Sequence, residues 1–257
     1  VVNGVNKDQE KAIVSEFYKR GQRFTLEGCR RGFYSLLSGE MIEDIIPHAV
    51  YNKQDSAYTL HLDVTLNPHF TLKMGAAVST SISNQIYFGL HYRTLKNHSK
   101  EFVLDGHFGK VYNNAQLSGR VDFHTSLPIS LKVVGALSTI DYYNMDYLFS
   151  NEKLVALNHQ REYFAKIKVM FPFLNDRKAE IGIGIGNIKD EYIQSNIINL
   201  NNPLFDSNES TLFNGAIRFE GNTLNKKVFP TDGMHETLIA QFVVGKEKYK
   251  GHVNVEN

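Results

Sequence analysis

The feature that most constrains this chain is a long series of segments in which apolar and polar residues alternate. From Thr71 onward the hydrophobic pattern has a period of two, which is the period of a β-strand. Roughly nine such segments, each of about 10–15 residues, follow one another. The clearest apolar series are Ile86, Phe88, Leu90 and Tyr92; Leu117, Gly119, Val121 and Phe123; Ala165, Ile167, Val169 and Phe171; Ile181, Ile183 and Ile185; Phe213, Gly215, Ile217 and Phe219; and Leu238, Ala240, Phe242 and Val244.

The length of these segments favours strands that cross a membrane. Strands of soluble proteins average about 5–6 residues, whereas transmembrane strands need roughly 9–11. Full charges such as Arg93, Arg120, Lys166, Lys168 and Arg218 lie on the opposite face of the segments. In a transmembrane barrel that face lines the lumen, but in a soluble sandwich or lipid-binding barrel it meets bulk water. Alternation alone does not separate the two folds.

The connections also favour a transmembrane barrel. Short turns are expected at residues 81–83, 97–99, 125–128 and 175–177, and longer polar stretches at 141–159 and 194–210. Outer-membrane barrels combine short periplasmic turns with longer outer loops. The chain has no tryptophan, so an aromatic girdle has to consist of tyrosine and phenylalanine. The candidates are Tyr142, Tyr143, Tyr147, Phe149, Phe171 and Phe173.

The first 68 residues follow a different pattern. Asn6 or Asp8 is suited to cap a first helix, and a second helix begins at Thr25. Residues 45–51 and 58–64 read as strands, and Val1-Val2 reads as a short strand before the helices. We therefore predict a compact β-α-α-β-β domain over residues 1–68, followed by an antiparallel β-barrel region over residues 69–257.

Composition excludes several functional classes. The 28 Lys+Arg residues nearly balance the 27 Asp+Glu residues, so no electrostatic footprint for nucleic acid is present. No apolar run approaches the roughly 18 residues of a transmembrane helix. The one cysteine, Cys29, cannot form an internal disulfide or a cysteine-cluster zinc site, and we expect an inert packed thiol.

No motif in the sequence predicts catalysis. The alternation of Gly182, Gly184 and Gly186 with isoleucines lacks the spacing and the following helix of a dinucleotide-binding loop, and it predicts a strand with one bare face. No Gly-x-Ser-x-Gly or His-Glu-x-x-His motif occurs. His91, His107 and His124 fall on the polar faces of separate strands. A three-histidine metal site would need them to converge, and hydrated positions are the simpler interpretation. We predict no catalytic, cofactor-binding or metal-binding residues and no cofactor.

Several stretches resemble known families. The β-α-α-β-β unit, with Phe33-Tyr34-Ser35-Leu36-Leu37-Ser38-Gly39 and Tyr58-Thr59-Leu60-His61-Leu62-Asp63-Val64, resembles a polypeptide-transport-associated (POTRA) domain. Met74-Gly75-Ala76-Ala77-Val78-Ser79-Thr80 resembles the first strand of the surface-antigen barrel superfamily, which includes outer-membrane assembly factors and two-partner-secretion transporters. Residues 84–90, 221–225 with Gly233, and 245–249 with Gly251 resemble the C-terminal half of bacterial patatin-like phospholipases.

The resemblance implies a bacterial outer-membrane protein with its POTRA-like domain in the periplasm. Its expected partners are outer-membrane lipids and a polypeptide, either a client or a fused N-terminal passenger such as a patatin-like lipase. An assembly factor or a two-partner-secretion transporter is the alternative. The patatin domain and its serine–aspartate dyad are absent, so the resemblance carries over no catalytic residue, and we expect that this chain is not an enzyme.

The resemblance also implies an incomplete barrel. Nine strands is an odd number, whereas single-chain bacterial barrels have even counts. The chain ends at Asn257 rather than at an aromatic residue, and it lacks an initiator methionine. We therefore expect an excised piece of a longer protein, and we expect that this piece alone does not form a stable pore, because lipid cannot satisfy two open sheet edges.

Overall fold

The computed structural model describes residues 1–17, 25–37, 41–54, 56–80, 84–95, 98–123, 129–143, 156–173, 177–193, 205–226 and 229–251. In chain order the elements are β1 (Val2–Asn3), α1 (Lys7–Phe17), α2 (Leu26–Leu37), β2 (Ile42–Asn52), β3 (Ala57–Leu66), β4 (Phe70–Ala77), β5 (Gln85–Thr94), β6 (His98–Gly109), β7 (Tyr112–Phe123), β8 (Ile129–Tyr143), β9 (Ala156–Phe173), β10 (Arg177–Tyr192), β11 (Asp206–Asn222) and β12 (His235–Lys250). None of the described helices is both long and apolar enough to cross a membrane.

Residues 1–66, which we call the N-terminal module, have the predicted β-α-α-β-β order. Their three strands pair in the order β1-β3-β2, with β1 parallel to β3. Asn6 rather than Asp8 caps α1. The Asn6 Oδ1 atom accepts hydrogen bonds from the backbone N–H groups of Asp8 (3.1 Å) and Gln9 (3.0 Å), and the Gln9 Oε1 atom accepts one from the Asn6 N–H (2.9 Å). This reciprocal pair is a capping box. Thr25 caps α2 as predicted, through the Gly28 N–H at 3.1 Å.

The helices cover one face of this small sheet. Ile13 and Ile42 are almost completely buried, and Phe17 packs beside them. Gly32 lets the two helices approach closely, because a Cβ atom there would lie 2.8 Å from the Phe17 ring. Burial of apolar surface in this layer supplies the main stabilisation of the module.

One residue from outside the module belongs to its core. Leu95 directly follows β5, is only 6% exposed and packs in the same cluster as Ile13 and Ile42. Hydrogen bonds reinforce this junction: the Arg93 N–H donates to the His69 carbonyl at 2.7 Å, and the His69 Nδ1 atom lies 2.9 Å from the Arg93 carbonyl oxygen. Leu95 therefore links the module to the large sheet, and we call the end of the sheet at which β5 ends the module end.

Within the described residues the large sheet contains nine strands in simple sequential order, from β4 to β12. Each strand pairs antiparallel with the next in the chain, and the register is continuous except for an irregularity between Tyr142 and Tyr143. The predicted number of strands is confirmed. β4 and β12 are the two edges and do not pair with each other, so the sheet of the described residues is open.

The predicted alternation assigns the two faces of this sheet correctly. The face that carries Ile86, Ile167 and Ile217, which we call the apolar face, contains the apolar series found in the sequence. These three residues are 62%, 49% and 43% exposed, and Val121 on the same face is half-buried. None of them packs into a closed core, which argues against the soluble sandwich or barrel.

Aromatic residues border the apolar face on β9. Tyr163 and Phe173 lie at the two ends of its apolar stretch, residues 163–173, on the same face as Ile167. This stretch has the length of about 9–11 residues that a transmembrane strand needs. Phe173 also packs against Phe219, with ring centroids 5.2 Å apart.

Two of the predicted girdle residues lie on the apolar face, and one does not. Phe171 and Phe173 lie there as expected. The prediction for Tyr142 is wrong, because Tyr142 lies on the other face of the sheet, where it pairs with Asn158. It is an even number of positions from Lys132 along β8, and residues at even spacing in a strand share a face. Tyr147 and Phe149 lie outside the described residues, as does the side chain of Tyr143. Sequence analysis missed Tyr163.

The loop pattern agrees only partly with the prediction. β8 and β10 end, and β9 and β11 begin, at the end opposite the module, which we call the far end; most of the residues between them, 144–155 and 194–204, lie outside the described residues. However, residues 110–111 also form a short connection at the far end, and residues 223–234 form a long one at the module end. The predicted turns at 81–83 and 125–128 lie outside the described residues.

Candidate functional site

The other face of the nine-stranded sheet, which we call the polar face, carries linked ionisable side chains near the module end. Arg93 Nε donates to Glu101 Oε1 at 2.9 Å, and Arg93 Nη2 donates to His91 Nδ1 at 3.3 Å. The proton of a neutral His91 ring is therefore on Nε2, which lies 3.2 Å from Asp105 Oδ1. The Tyr87 hydroxyl donates to the same Asp105 oxygen at 2.7 Å. These five side chains satisfy one another and hold the first strands of the sheet in register.

The glycine series of β10 confirms the prediction of a strand with one bare face. Gly182 and Gly184 lie on the polar face, opposite Lys168 and Lys166 of β9. A Cβ atom at Gly184 would lie 2.8 Å from Lys166 Cγ, and one at Gly182 would lie 3.3 Å from Lys168 Cγ. The two lysine stems therefore lie across the space that the glycines leave.

The polar face carries half-buried lysines that its ion pairs do not all neutralise. Lys168 Nζ pairs with Glu180 at 2.8 Å, and Lys166 Nζ lies 4.9 Å from the centroid of the Phe164 ring. Lys132 lies directly opposite Lys168. Among the described residues, Lys132 and Lys166 have no carboxylate partner. Lys132 and Lys166 are therefore the cations that an anionic or carbonyl-rich ligand on this face would neutralise, since Lys168 is already paired with Glu180.

A polar depression of about 420 Å³ opens on the same face at the far end. Its lining consists of Tyr142, Asn158, Gln160, Asp190, Tyr192 and Asn208. The Oδ1 atoms of Asn158 and Asn208 are buried and accept no hydrogen bond from the described residues. Water or a polar ligand would satisfy them, since buried polar atoms are rarely left without a partner.

The three histidines considered as metal ligands are not brought together within the described residues. His91 is engaged by Arg93 and Asp105, and His107 packs against the Tyr87 ring at 4.8 Å. His124 lies outside the described residues. Among the side chains that the structure describes, no group of three or more His, Cys, Asp or Glu residues has the geometry to hold a metal ion.

Comparison with solved structures identifies the fold. No protein-family model and no curated protein sequence matches this chain. BamA from Haemophilus ducreyi, in a crystal structure lacking POTRA domains 1–3, matches over 93% of this chain and 47% of that chain, with 15% identity and a TM-score of 0.51. The large sheet has the fold of part of the BamA barrel. CdiB from Acinetobacter baumannii matches over 94% of this chain and 44% of that chain, with 9% identity and a TM-score of 0.44.

The BamA match covers more of this chain than the large sheet alone. The residues from Phe70 onward make up less than three quarters of the chain, so a match over 93% extends into the N-terminal module. The chain spans about half the length of each of these two solved structures. At 15% identity the similarity shows the fold alone.

Proposed function

We propose that this chain is part of a bacterial outer-membrane β-barrel protein that anchors or translocates a polypeptide. The observation that carries the proposal is the exposed apolar face of the large sheet, on strands long enough to cross a bilayer. Soluble monomers rarely expose contiguous apolar patches larger than a few hundred Å². In a transmembrane barrel the apolar face contacts the lipid acyl chains, and the charged polar face lines an aqueous lumen.

The open sheet supports the presence of further barrel strands in the full-length protein. The unpaired edges β4 and β12 leave backbone N–H and C=O groups without partners along the sheet. Each such group costs several kcal/mol in hydrocarbon, so transmembrane sheets close into barrels. The division into residues 1–68 and 69–257, and the expectation that residues 1–257 alone form no stable pore, are part of this proposal.

The N-terminal module is proposed to be a POTRA-like domain in the periplasm. Its order β1-β3-β2 leaves the outer edge of β2 open to an added strand. An extended polypeptide can bind such an edge through backbone hydrogen bonds. Lys132 and Lys166 on the polar face then offer positive charge to the carbonyl groups and acidic side chains of a segment that enters the lumen. We propose polypeptide binding for this chain and no catalysis.

The domains encoded in the full open reading frame distinguish between an assembly factor, a two-partner-secretion transporter and an anchor for a fused passenger. An assembly factor and a two-partner-secretion transporter both handle polypeptides made as separate chains, whereas a fused passenger is part of the same open reading frame. The proposal that the passenger is a patatin-like lipase is supported only by the sequence resemblance. A Gly-x-Ser-x-Gly motif upstream in the full reading frame would support it, and further POTRA repeats there would favour an assembly factor.

Membrane insertion is tested with two adjacent substitutions on β11. Ile217 lies on the apolar face and Ala216 on the polar face. Ile217→Arg is expected to destabilise the inserted protein by about 2–4 kcal/mol, the cost of arginine on the lipid face near the bilayer midplane. Ala216→Arg places the same charge in the lumen and is expected to have little effect.

The measurement is outer-membrane sedimentation of the full-length protein together with the heat-modifiable gel shift of a folded barrel. The wild type and Ala216→Arg are expected to sediment with outer membranes and to shift on heating, and Ile217→Arg is expected to lose the shifted band. The proposal fails if the wild type is fully soluble without detergent, or if both substitutions have the same effect.

A further inference from the structure

The far end of the sheet carries opposite charges on its two faces. Beyond the apolar stretch, the apolar face continues into a group of basic residues, which we call the basic patch: Arg161, Lys189, Lys246, Lys248 and Lys250. On the polar face of β9–β12 at the same level the full charges of the described residues are Glu162, Asp190, Asp206 and Glu247, and all four are negative. Asp141, Glu191 and Glu209 lie at this level on the apolar face as well, so the basic residues there leave an excess of positive charge rather than a purely positive surface.

The register places the basic patch just past the apolar stretch. Lys248 of β12 pairs with Glu209 of β11, Glu209 pairs with Lys189 of β10, and Lys189 pairs with Arg161 of β9. These four residues form one row across the sheet. Lys246 lies two residues beyond Val244, the last apolar residue of β12 on this face. At about 3.3 Å per residue and a tilt of roughly 45°, Lys246 and Lys248 stand about 5 and 9 Å above Val244. The headgroup layer on each side of a bilayer is about 5–8 Å thick, so the backbone of Lys246 lies within it. The backbone of Lys248 lies just beyond it, and a long lysine side chain can extend back toward the layer.

Internal ion pairs neutralise only part of the basic patch. Lys189 Nζ lies 2.7 Å from Glu191, and Arg161 Nη2 lies 3.5 Å from the same carboxylate. Asp141 contacts His159 at 2.6 Å. Glu209 accepts a hydrogen bond from the neutral Asn187 Nδ2 at 3.0 Å and so keeps its negative charge opposite Lys248.

The three lysines of β12 are the part of the basic patch that these ion pairs do not neutralise. Lys246, Lys248 and Lys250 have no ion-pair partner among the described residues. Two of them line a depression of about 290 Å³ together with Lys189, Glu191, Phe205, Ser207 and Glu209. Its three ammonium groups and one hydroxyl are donors suited to phosphate oxygens, and they outnumber the two carboxylates, Glu191 and Glu209.

We propose that the basic patch binds the phosphate-bearing headgroups of lipids in the membrane leaflet at the far end. This inference depends on the proposed function, because it requires the apolar face to lie in lipid. The apolar residues below the patch contact the acyl chains, and the free lysines contact the phosphates above them. Such contacts fix the depth of the barrel wall in the bilayer at the far end.

The test uses the full-length protein purified in detergent and titrated with lipid A and with dephosphorylated lipid A. The variant is the triple substitution Lys246→Gln, Lys248→Gln and Lys250→Gln. Its affinity for lipid A is expected to fall on the order of 100-fold, since each lysine near an anionic lipid surface contributes about a fivefold change. Dephosphorylated lipid A is expected to bind weakly to the wild type and the variant alike.

A matched control removes the same charge from the polar face: Lys73→Gln, Lys132→Gln and Lys166→Gln. This control is expected to bind lipid A as the wild type does. The inference is overturned if the β12 variant keeps wild-type affinity, if the control loses as much affinity, or if the wild type binds both lipids equally. Sedimentation with outer membranes separates the two proposals, because a protein that inserts normally but ignores the phosphates refutes only the headgroup site.

Discussion

Replacing Leu95 with alanine should loosen the N-terminal module even though Leu95 follows a strand of the large sheet. Leu95 is 6% exposed and packs in the core cluster with Ile13 and Ile42. A Leu→Ala substitution at a buried position costs about 2–5 kcal/mol, through lost burial and the cavity left behind. A module of about 65 residues has a small free energy of unfolding because it buries little surface, so this loss is a large fraction of it.

Hydrogen exchange of the full-length protein in detergent measures this effect. Backbone amides of β2 and β3 are expected to exchange about 30-fold to several thousandfold faster in Leu95→Ala, since 1.4 kcal/mol corresponds to a factor of ten. The matched control is Leu117→Ala, which removes the same atoms from an exposed position on the apolar face. Unchanged exchange in the module of Leu95→Ala, or equal acceleration in Leu117→Ala, would refute the packing argument.

Two further predictions concern local packing and reactivity. Gly184→Ala is expected to destabilise the sheet by about 1–3 kcal/mol, because the new Cβ would lie 2.8 Å from Lys166 Cγ and 3.1 Å from the Ala165 carbonyl oxygen. The temperature at which the heat-modifiable band disappears should therefore fall. Gly119→Ala, with nothing within 4 Å of its new Cβ, should leave that temperature unchanged. Burial raises the pKa of the Cys29 thiol, so less of the reactive thiolate is present at neutral pH. Alkylation of the folded protein should therefore be slower than in urea at pH 7, with the difference shrinking as the pH rises above the raised pKa; equal rates at pH 7 would contradict this.

The faces of the large sheet could be predicted because strand periodicity is local. Once Ile167 is assigned to the apolar face, alternation assigns Lys166 and Lys168 to the other, without any knowledge of neighbouring strands. The same reasoning identified the bare face of β10. The cap at Asn6 and the start of α2 at Thr25 are local signals as well, and both appear in the structure.

Features that depend on register or on contacts between distant segments could not be predicted. Leu95 looks like an ordinary residue at a strand end, and only the tertiary fold places it in the core of the module. The position of the lysine stems over Gly182 and Gly184 follows from the pairing of β9 with β10, which the sequence does not specify. Tyr142 was misassigned because aromatic character near a loop says nothing about which face a side chain occupies.

The glycine series of β10 also affects the width of the proposed conduit. The stems of Lys166 and Lys168 rest against the backbone of β10 instead of standing upright, so the wall at this point is thinner than its side-chain sizes suggest. An estimate of the bore from residue volumes alone would come out too narrow there. Because Lys168 is paired with Glu180, Lys166 is the one of these two lysines that adds unneutralised positive charge to this broad stretch of the wall.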